Sequence, residues 1–197
     1  MQIKSALAAS AVAVVASTAG AVDAFTDFAA WEAAAGNPVT TDDFASYGVV
    51  DLALGANDFF NGYTVTLAGT GTGGAEINGA SNFVFTVGGD LESITFDFDQ
   101  NVTGFGADWL NSFVSNGLTV TINGEAFNVE DSVAAPNFDF IGYADGAGFG
   151  GASITVTNAG GSTEFAAISN LYFAVVPAPA GLGALALGGL LATRRRR

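Results

Sequence analysis

The stretch ESITFDFD at residues 92–99 decides the fold class of this chain. Three apolar residues alternate in it with Thr95, Asp97 and Asp99, so that a strand would carry its apolar side chains on one face and its polar ones on the other. A strand with one buried face and one solvated face is typical of antiparallel sheets. The stretch therefore predicts one strand of an all-β domain.

Six other stretches show the same two-residue period and are rich in β-branched and aromatic residues. They are YTVTLA (63–68), NFVFTV (82–87), LTVTING (118–124), FDFIGY (138–143), ASITVTN (152–158) and FAAISNLYF (165–173). Gly117, Asn123-Gly124 and Gly160-Gly161 are turn signals, and Asn123-Gly124 predicts a hairpin. Short strands at this spacing predict an antiparallel β-sandwich with jelly-roll topology.

The stretch FTDFAAWEAAAG at residues 25–36 breaks this pattern and predicts one short helix before the strands. Its larger side chains fall at helical spacing, Thr26 is placed to cap the first turn, and Gly36 ends the helix.

The N-terminal residues 1–24 have the three parts of a secretory signal peptide. Lys4 precedes an uncharged apolar run, and small residues follow it. Cleavage after Ala21 or after Ala24 would satisfy the small-x-small rule. The sequence thus predicts export by the Sec machinery, and a buried N-terminal helix is the alternative.

The C-terminal residues 174–197 also have three parts. A motif comes first, made of Val176, Pro177, Ala178, Pro179 and Ala180. An apolar segment follows, and residues 174–192 carry no charge, enough for a transmembrane helix about 28 Å long. A basic cluster ends the chain: Arg194, Arg195, Arg196 and Arg197. By the positive-inside rule, this cluster would stay in the cytoplasm while the body is exported.

Motif, apolar segment and Arg cluster together resemble the PEP-CTERM sorting signal of Gram-negative bacteria, in its VPxPA-type variant. The commonest form of that signal has Glu between the two prolines, where this chain has Ala178. The resemblance implies that the chain is a substrate of exosortase, a membrane-embedded transpeptidase that removes such tails. It also implies a brief stay in the inner membrane, and then the cell surface or the extracellular space, often in bacteria that make exopolysaccharide and a biofilm matrix.

The body between these ends, residues 25–173, is similar to domains that often precede such tails. The resemblance rests on four short matches: Thr95–Phe98, Val102 with Gly104–Gly106, Phe140–Gly142 and Ile168–Leu171. It implies a galactose-binding or lectin-like sandwich.

The charge of the body limits its partners. All 19 Asp and Glu lie between Asp23 and Glu164, and that span contains no Lys, Arg or His. A purely anionic domain has no basic groups for internal salt bridges and repels nucleic acid and anionic membrane surfaces. The chain has no Cys, so no disulfide framework supports the exported domain.

Two carboxylates are candidate metal ligands. Asp97, Asp99 and Asn101 form a D-x-D-x-N pattern without any basic neighbour, and such oxygen ligands suit Ca²⁺. An EF-hand loop is excluded because its sixth position would need Gly and is Val102. Two interpretations stay open, namely a solvated acidic strand face and a Ca²⁺ site that includes Asp97 and Asp99.

Catalytic motifs are scarce in this sequence. GTGTGG at residues 69–74 fits the dinucleotide-binding pattern, but no helical pattern follows it, so a Gly-rich loop over 69–80 is predicted instead. Without His or Cys, the usual triads and zinc ligands are absent. A carboxylate pair of the glycosidase type is the one enzymatic chemistry the composition leaves open.

Three aromatic residues are candidates for stacking on sugar rings: Trp109, Tyr143 and Tyr172. Trp109 follows Asp108 and a predicted turn at GFG, residues 104–106. Burial in the core is the alternative for each of them.

The sequence therefore predicts an exported, exosortase-sorted protein that acts without catalysis in the cell envelope or extracellular matrix. We expect it to bind polysaccharide, with Ca²⁺ as the candidate cofactor. A secreted carbohydrate-active enzyme that uses a carboxylate pair and a structural protein with no ligand are the alternatives.

Overall fold

The computed structural model describes residues 21–36, 38–70, 74–80, 82–87, 91–111, 118–129, 138–146, 148–149, 153–158 and 164–176. These residues form fourteen strands and one helix. In chain order they are β1 (Asp23–Phe25), α1 (Phe28–Ala35), β2 (Val39–Asp42), β3 (Val50–Asp51), β4 (Gly55–Asn57), β5 (Tyr63–Gly69), β6 (Ala75–Ile77), β7 (Phe83–Val87), β8 (Leu91–Phe98), β9 (Val102–Asn111), β10 (Leu118–Ile122), β11 (Glu125–Asn128), β12 (Phe138–Ala144), β13 (Ser153–Asn158) and β14 (Glu164–Val175).

The strands form two sheets, and every strand pair in them is antiparallel. Sheet A has the order β1-β12-β9-β14-β7-β6-β3, and β2 also pairs with β14. Sheet B has the order β11-β10-β13-β8-β5-β4. The two sheets bury their inner faces in one common hydrophobic core. The prediction of an all-β antiparallel sandwich with one short helix is confirmed.

The alternation of ESITFDFD at residues 92–99 is present in β8, which lies between β5 and β13. Its apolar residues Ile94, Phe96 and Phe98 are buried, whereas Thr95 and Asp97 lie on the outer face. The six other predicted strands correspond to β5, β7, β10, β12, β13 and β14.

Aromatic rings join the two sheets across the core. The ring of Phe96 in sheet B lies 6.0 Å from that of Phe83 and 5.7 Å from that of Phe105, both in sheet A. Tyr63 and Phe173 form a second such pair at 5.8 Å. Tilted and edge-to-face pairs at these distances add to the stabilisation from burial.

The predicted hairpin at Asn123-Gly124 joins β10 to β11. Both turn residues have positive φ, 53° for Asn123 and 83° for Gly124. This is the two-residue turn whose twist matches the flanking strands, and Asn-Gly is its preferred sequence.

The helix α1 is present, but its cap differs from the prediction by one residue. The carboxylate of Asp27 accepts a hydrogen bond from the backbone N–H of Ala30 at 2.8 Å, so Asp27 and not Thr26 is the N-cap. An aspartate at this position is a strong acceptor for the free N–H groups of the first turn. Gly36 ends the helix as predicted, with φ of 81° and a backbone hydrogen bond to Glu32.

Two predictions about glycine-rich stretches were wrong. Residues 104–106, predicted as a turn, lie inside the long strand β9, and the predicted loop 69–80 contains β6. Because β6 is a strand, no helix follows GTGTGG, which agrees with excluding a dinucleotide site there.

The glycines of β9 and β12 make room for the helix on the outer face of sheet A. A Cβ on Gly142 would lie 2.5 Å from Cδ1 of Trp31, and one on Gly104 would collide with Cβ of Ala35. Trp31 is fully buried and donates its indole N–H to the carbonyl of Tyr143 at 3.0 Å. The absent side chains therefore allow α1 to pack directly on the sheet backbone.

Candidate functional site

Both ends of the described chain leave the sandwich from the same end of sheet A. Asp23 pairs with Ala144, Ala144 with Gly104, and Gly104 with Ala174, so these residues form one row across β1, β12, β9 and β14. Asp23 and Ala174 are three strand spacings apart in this row, which corresponds to about 14 Å. The described residues from which the two predicted membrane-directed segments continue therefore lie at the same end of sheet A.

The last strand ends where the predicted sorting motif begins. β14 continues to Val175, so the strand overlaps the first two residues assigned to the tail. The backbone N–H of Val176, the first motif residue, donates to the carbonyl of Asn101 at 2.9 Å, and its side chain is 38% exposed. Residues 177–197, with the other motif residues, the apolar segment and Arg194–Arg197, lie outside the described residues.

No helix in the part of the chain that the structure describes has the length and apolar character to cross a membrane. The transmembrane helix predicted within residues 174–192 falls almost wholly outside that part.

The two candidate calcium ligands lie near one end of β8. Asp97 is half-buried on the outer face, and its carboxylate accepts a hydrogen bond from the hydroxyl of Thr66 at 3.3 Å. Asp99 is exposed in the turn that follows, where its backbone N–H donates to Gly62. Within the described ranges, no group of three or more potential metal-ligating side chains comes together. The Ca²⁺ site stays a prediction.

Two of the three candidate sugar-stacking residues belong to the core. Trp109 is 0% exposed and Tyr143 is 1% exposed, and both side chains point between the sheets. A buried ring offers no face to a sugar, so the stacking prediction is wrong for these two residues.

Tyr172 lies on the opposite, outer face of sheet A and is half-buried. Its ring centroid is 4.8 Å from that of Phe28 on α1 and 5.8 Å from that of Phe140 on β12, and both of these rings are also half-buried. Trp31 packs beneath them. We call Phe28, Phe140 and Tyr172 the aromatic cluster.

Polar groups adjoin the aromatic cluster. The same oxygen of Asp108 accepts hydrogen bonds from the phenol of Tyr172 at 2.8 Å and from the side-chain amide of Asn170 at 2.7 Å. Burial, with the carboxylate of Asp108 next in importance, raises the pKa of Tyr172 above its usual range. A half-exposed ring beside carboxylate and amide groups is a combination that suits a sugar, which has apolar ring faces and hydroxyl groups.

Sequence patterns did not reveal Asp42, a buried carboxylate that accepts three hydrogen bonds. One oxygen accepts from the phenols of Tyr47 at 2.6 Å and Tyr63 at 2.7 Å, and the other accepts from the backbone N–H of Phe44 at 2.9 Å. Burial and the hydrogen bond to Asp42 raise the pKa of Tyr47 to about 12. Burial and the charge of Asp42 raise the pKa of Tyr63 further. Both phenols therefore stay protonated donors in mildly alkaline solution.

Sequence patterns also did not single out Phe59, an aromatic residue on the surface. Phe59 is 44% exposed and stacks on Phe60 at 4.4 Å, with Tyr47 edge-on at 5.8 Å. The segment between β4 and β5 has no periodic pattern, so nothing in the sequence separated Phe59 from the many core phenylalanines.

Comparisons with known proteins leave the family open. No family model, no curated protein and no solved structure matches the chain. Support for a function therefore comes from the motifs of the two ends and from the geometry of the body.

Proposed function

We propose that the chain is an exported precursor whose β-sandwich body is sorted to the envelope or extracellular matrix of a Gram-negative bacterium. The Sec machinery would export it, and exosortase would remove its PEP-CTERM-like tail. The Arg cluster would hold the tail in the inner membrane until that step.

The observation that carries this proposal is the junction at Val176. In the described part of the chain, the last strand, β14, ends at Val175, and the backbone N–H of Val176 is bound to Asn101. The motif then continues directly with Pro177. Because every described strand and core residue precedes Pro177, removal of everything after the motif would leave all of them in the chain, which is what a detachable sorting tail requires.

Sorting and removal of the tail are tested by expressing variants in a Gram-negative host that has an exosortase for VPxPA-type motifs. We expect the wild-type body to reach the outer fractions without its tail. Replacing Pro177 and Pro179 with Ala should keep the full chain in the inner membrane, because the motif is lost while the apolar segment remains.

A matched control replaces Asp99, an exposed turn residue outside the tail, with Asn and should be sorted like wild type. Equal processing of the proline variant would contradict the proposal, as would a wild-type protein that keeps its tail in every fraction.

The body is proposed to act without catalysis as a lectin-like, jelly-roll domain that binds polysaccharide through the aromatic cluster. Three half-buried rings on one face of sheet A support this, together with the carboxylate of Asp108 and the amide of Asn170 beside them. A carboxylate-pair glycosidase is the alternative activity.

Binding to the polysaccharide of the same host separates these activities. We expect Tyr172→Ala to weaken binding of the mature protein roughly tenfold or more, as loss of a central aromatic contact does. Phe59→Ala, which removes an exposed ring outside the aromatic cluster, should bind like wild type. Equal binding by wild type and Tyr172→Ala would exclude the aromatic cluster, and release of reducing sugar ends would support the glycosidase.

The same assay is run with millimolar Ca²⁺ and with NaCl of equal ionic strength. A Ca²⁺ site at Asp97 and Asp99 predicts stronger binding or a higher unfolding midpoint with Ca²⁺ alone, lost in Asp97→Asn. Equal effects of the two salts would mean that the carboxylates form a solvated acidic face.

A further inference from the structure

Two signal-peptidase sites lie three residues apart at the N-terminus, after Ala21 and after Ala24, and the sequence rule accepts both. The strand β1 begins between them, at Asp23. The choice of site therefore decides whether the mature body keeps β1.

Val22 is part of the core and not of a leader. Its side chain is only 7% exposed and belongs to the buried cluster that the two sheets share. Cleavage after Ala24 would remove this side chain from the core that the two sheets share. Emptying a buried site loses both the burial of the side chain and the contacts around it.

Backbone pairing points the same way. Asp23 and Ala24 pair with Ala144 and Tyr143 on β12, and Phe25 pairs with Gly142. Cleavage after Ala24 would remove two of these three pairs and turn β12 into an edge strand with unpaired backbone groups. The indole N–H of Trp31 donates to the carbonyl of Tyr143. The part of β12 that loses its neighbouring strand would therefore include the residue that binds α1.

Of the described residues, cleavage after Ala21 removes only Ala21. Ala21 itself is exposed and precedes β1. We infer that signal peptidase cuts between Ala21 and Val22, and that the mature chain begins at Val22 with β1 in place. The inference rests on the proposed export of the chain.

The direct test is the N-terminal sequence of the protein recovered from the envelope of a Gram-negative host that expresses the full chain. The expected first residue is Val22. A chain that starts at Phe25 would overturn the inference and leave export intact. A chain that keeps Met1 would overturn both the inference and the proposed function.

Two variants supply independent readouts. Ala24→Leu places a large residue where the second site needs a small one, and Ala24 is exposed on β1, so processing and the new N-terminus should match wild type. Ala21→Leu should instead accumulate precursor or shift the N-terminus to Phe25. Blocked processing in Ala24→Leu and normal processing in Ala21→Leu would overturn the inference.

Val22→Ala keeps both small-x-small patterns and tests retention through stability. If Val22 stays in the mature chain, the exported variant should unfold a few degrees below wild type, because a buried side chain has been shortened. Identical unfolding of the two exported proteins would mean that residue 22 is removed, contrary to the inference.

Discussion

Asp42→Ala is expected to lower the free energy of unfolding of the mature protein by about 3–5 kcal/mol, corresponding to a fall in Tm on the order of 10 °C. The carboxylate accepts from two phenols and one backbone N–H, and Tyr63 and Phe44 are buried. Without Asp42, the phenol of Tyr63 and the backbone N–H of Phe44 lose their partner in a place that water does not reach, whereas the half-buried phenol of Tyr47 stays accessible to water. A buried donor without a partner costs about 1–3 kcal/mol. Thermal unfolding followed by circular dichroism measures the effect.

A double-mutant cycle separates the hydrogen bonds from the packing. Tyr63→Phe in the Asp42→Ala background should cost much less than Tyr63→Phe alone, because the stranded phenol is removed together with its acceptor. Tyr47→Phe should be milder, since Tyr47 is half-buried and water can replace its contact. Fully additive losses, or a loss below about 1 kcal/mol for Asp42→Ala, would show that the carboxylate does not organise this part of the core.

Gly142→Val is expected to displace the helix from sheet A and to cost about 3 kcal/mol or more. The new Cβ would meet Trp31 at 2.5 Å and Phe140 at 2.6 Å, and the buried ring of Trp31 cannot withdraw while α1 stays packed on the sheet. Lifting the helix breaks the hydrogen bond from Trp31 to Tyr143 and exposes the indole. The measurement is a lower Tm together with a red shift of tryptophan emission.

Gly146→Ala is the matched control, because nothing lies within 4 Å of the position its Cβ would take. It should unfold and fluoresce like wild type. Gly142→Val with unchanged emission and Tm would contradict the seating of α1 on the glycines of β9 and β12. Trp109, the other tryptophan, stays in the core in both variants and gives a constant background.

Strands with a strict two-residue period were predictable because alternation reports directly which face is buried. The strand β9 was not predicted, because Gly104 and Gly106 interrupt its alternating pattern and glycine in a sequence normally signals a turn. Packing on the outer face of sheet A explains these residues, since α1 fills the space beside Gly104 and Phe140 fills the space beside Gly106. The contact between α1 and Gly104 joins parts of the chain about seventy residues apart, and no local sequence pattern predicts a contact over that separation.

The candidate site was partly predictable for a similar reason. Once β9 is a strand, Trp109 shares a face with Phe105 and Ala107, so its burial follows from alternation. Tyr172 faces outward because β14 has an irregularity between Ile168 and Leu171, which lets both of these residues point inward. A bulge of this kind shifts the alternation and is not visible in the sequence. The hydrogen bonds of Asp42 to Tyr47 and Tyr63 span 5 and 21 residues of chain, and no periodic pattern links these positions.

The intact mass of the exported protein tests most directly whether the sandwich is carried by a removable tail. The protein would be recovered from the outer fractions of a Gram-negative host with a matching exosortase. We predict the mass of a chain that begins at Val22 and has lost the apolar segment and Arg194–Arg197. An outer-fraction protein that retains the Arg cluster would contradict the account.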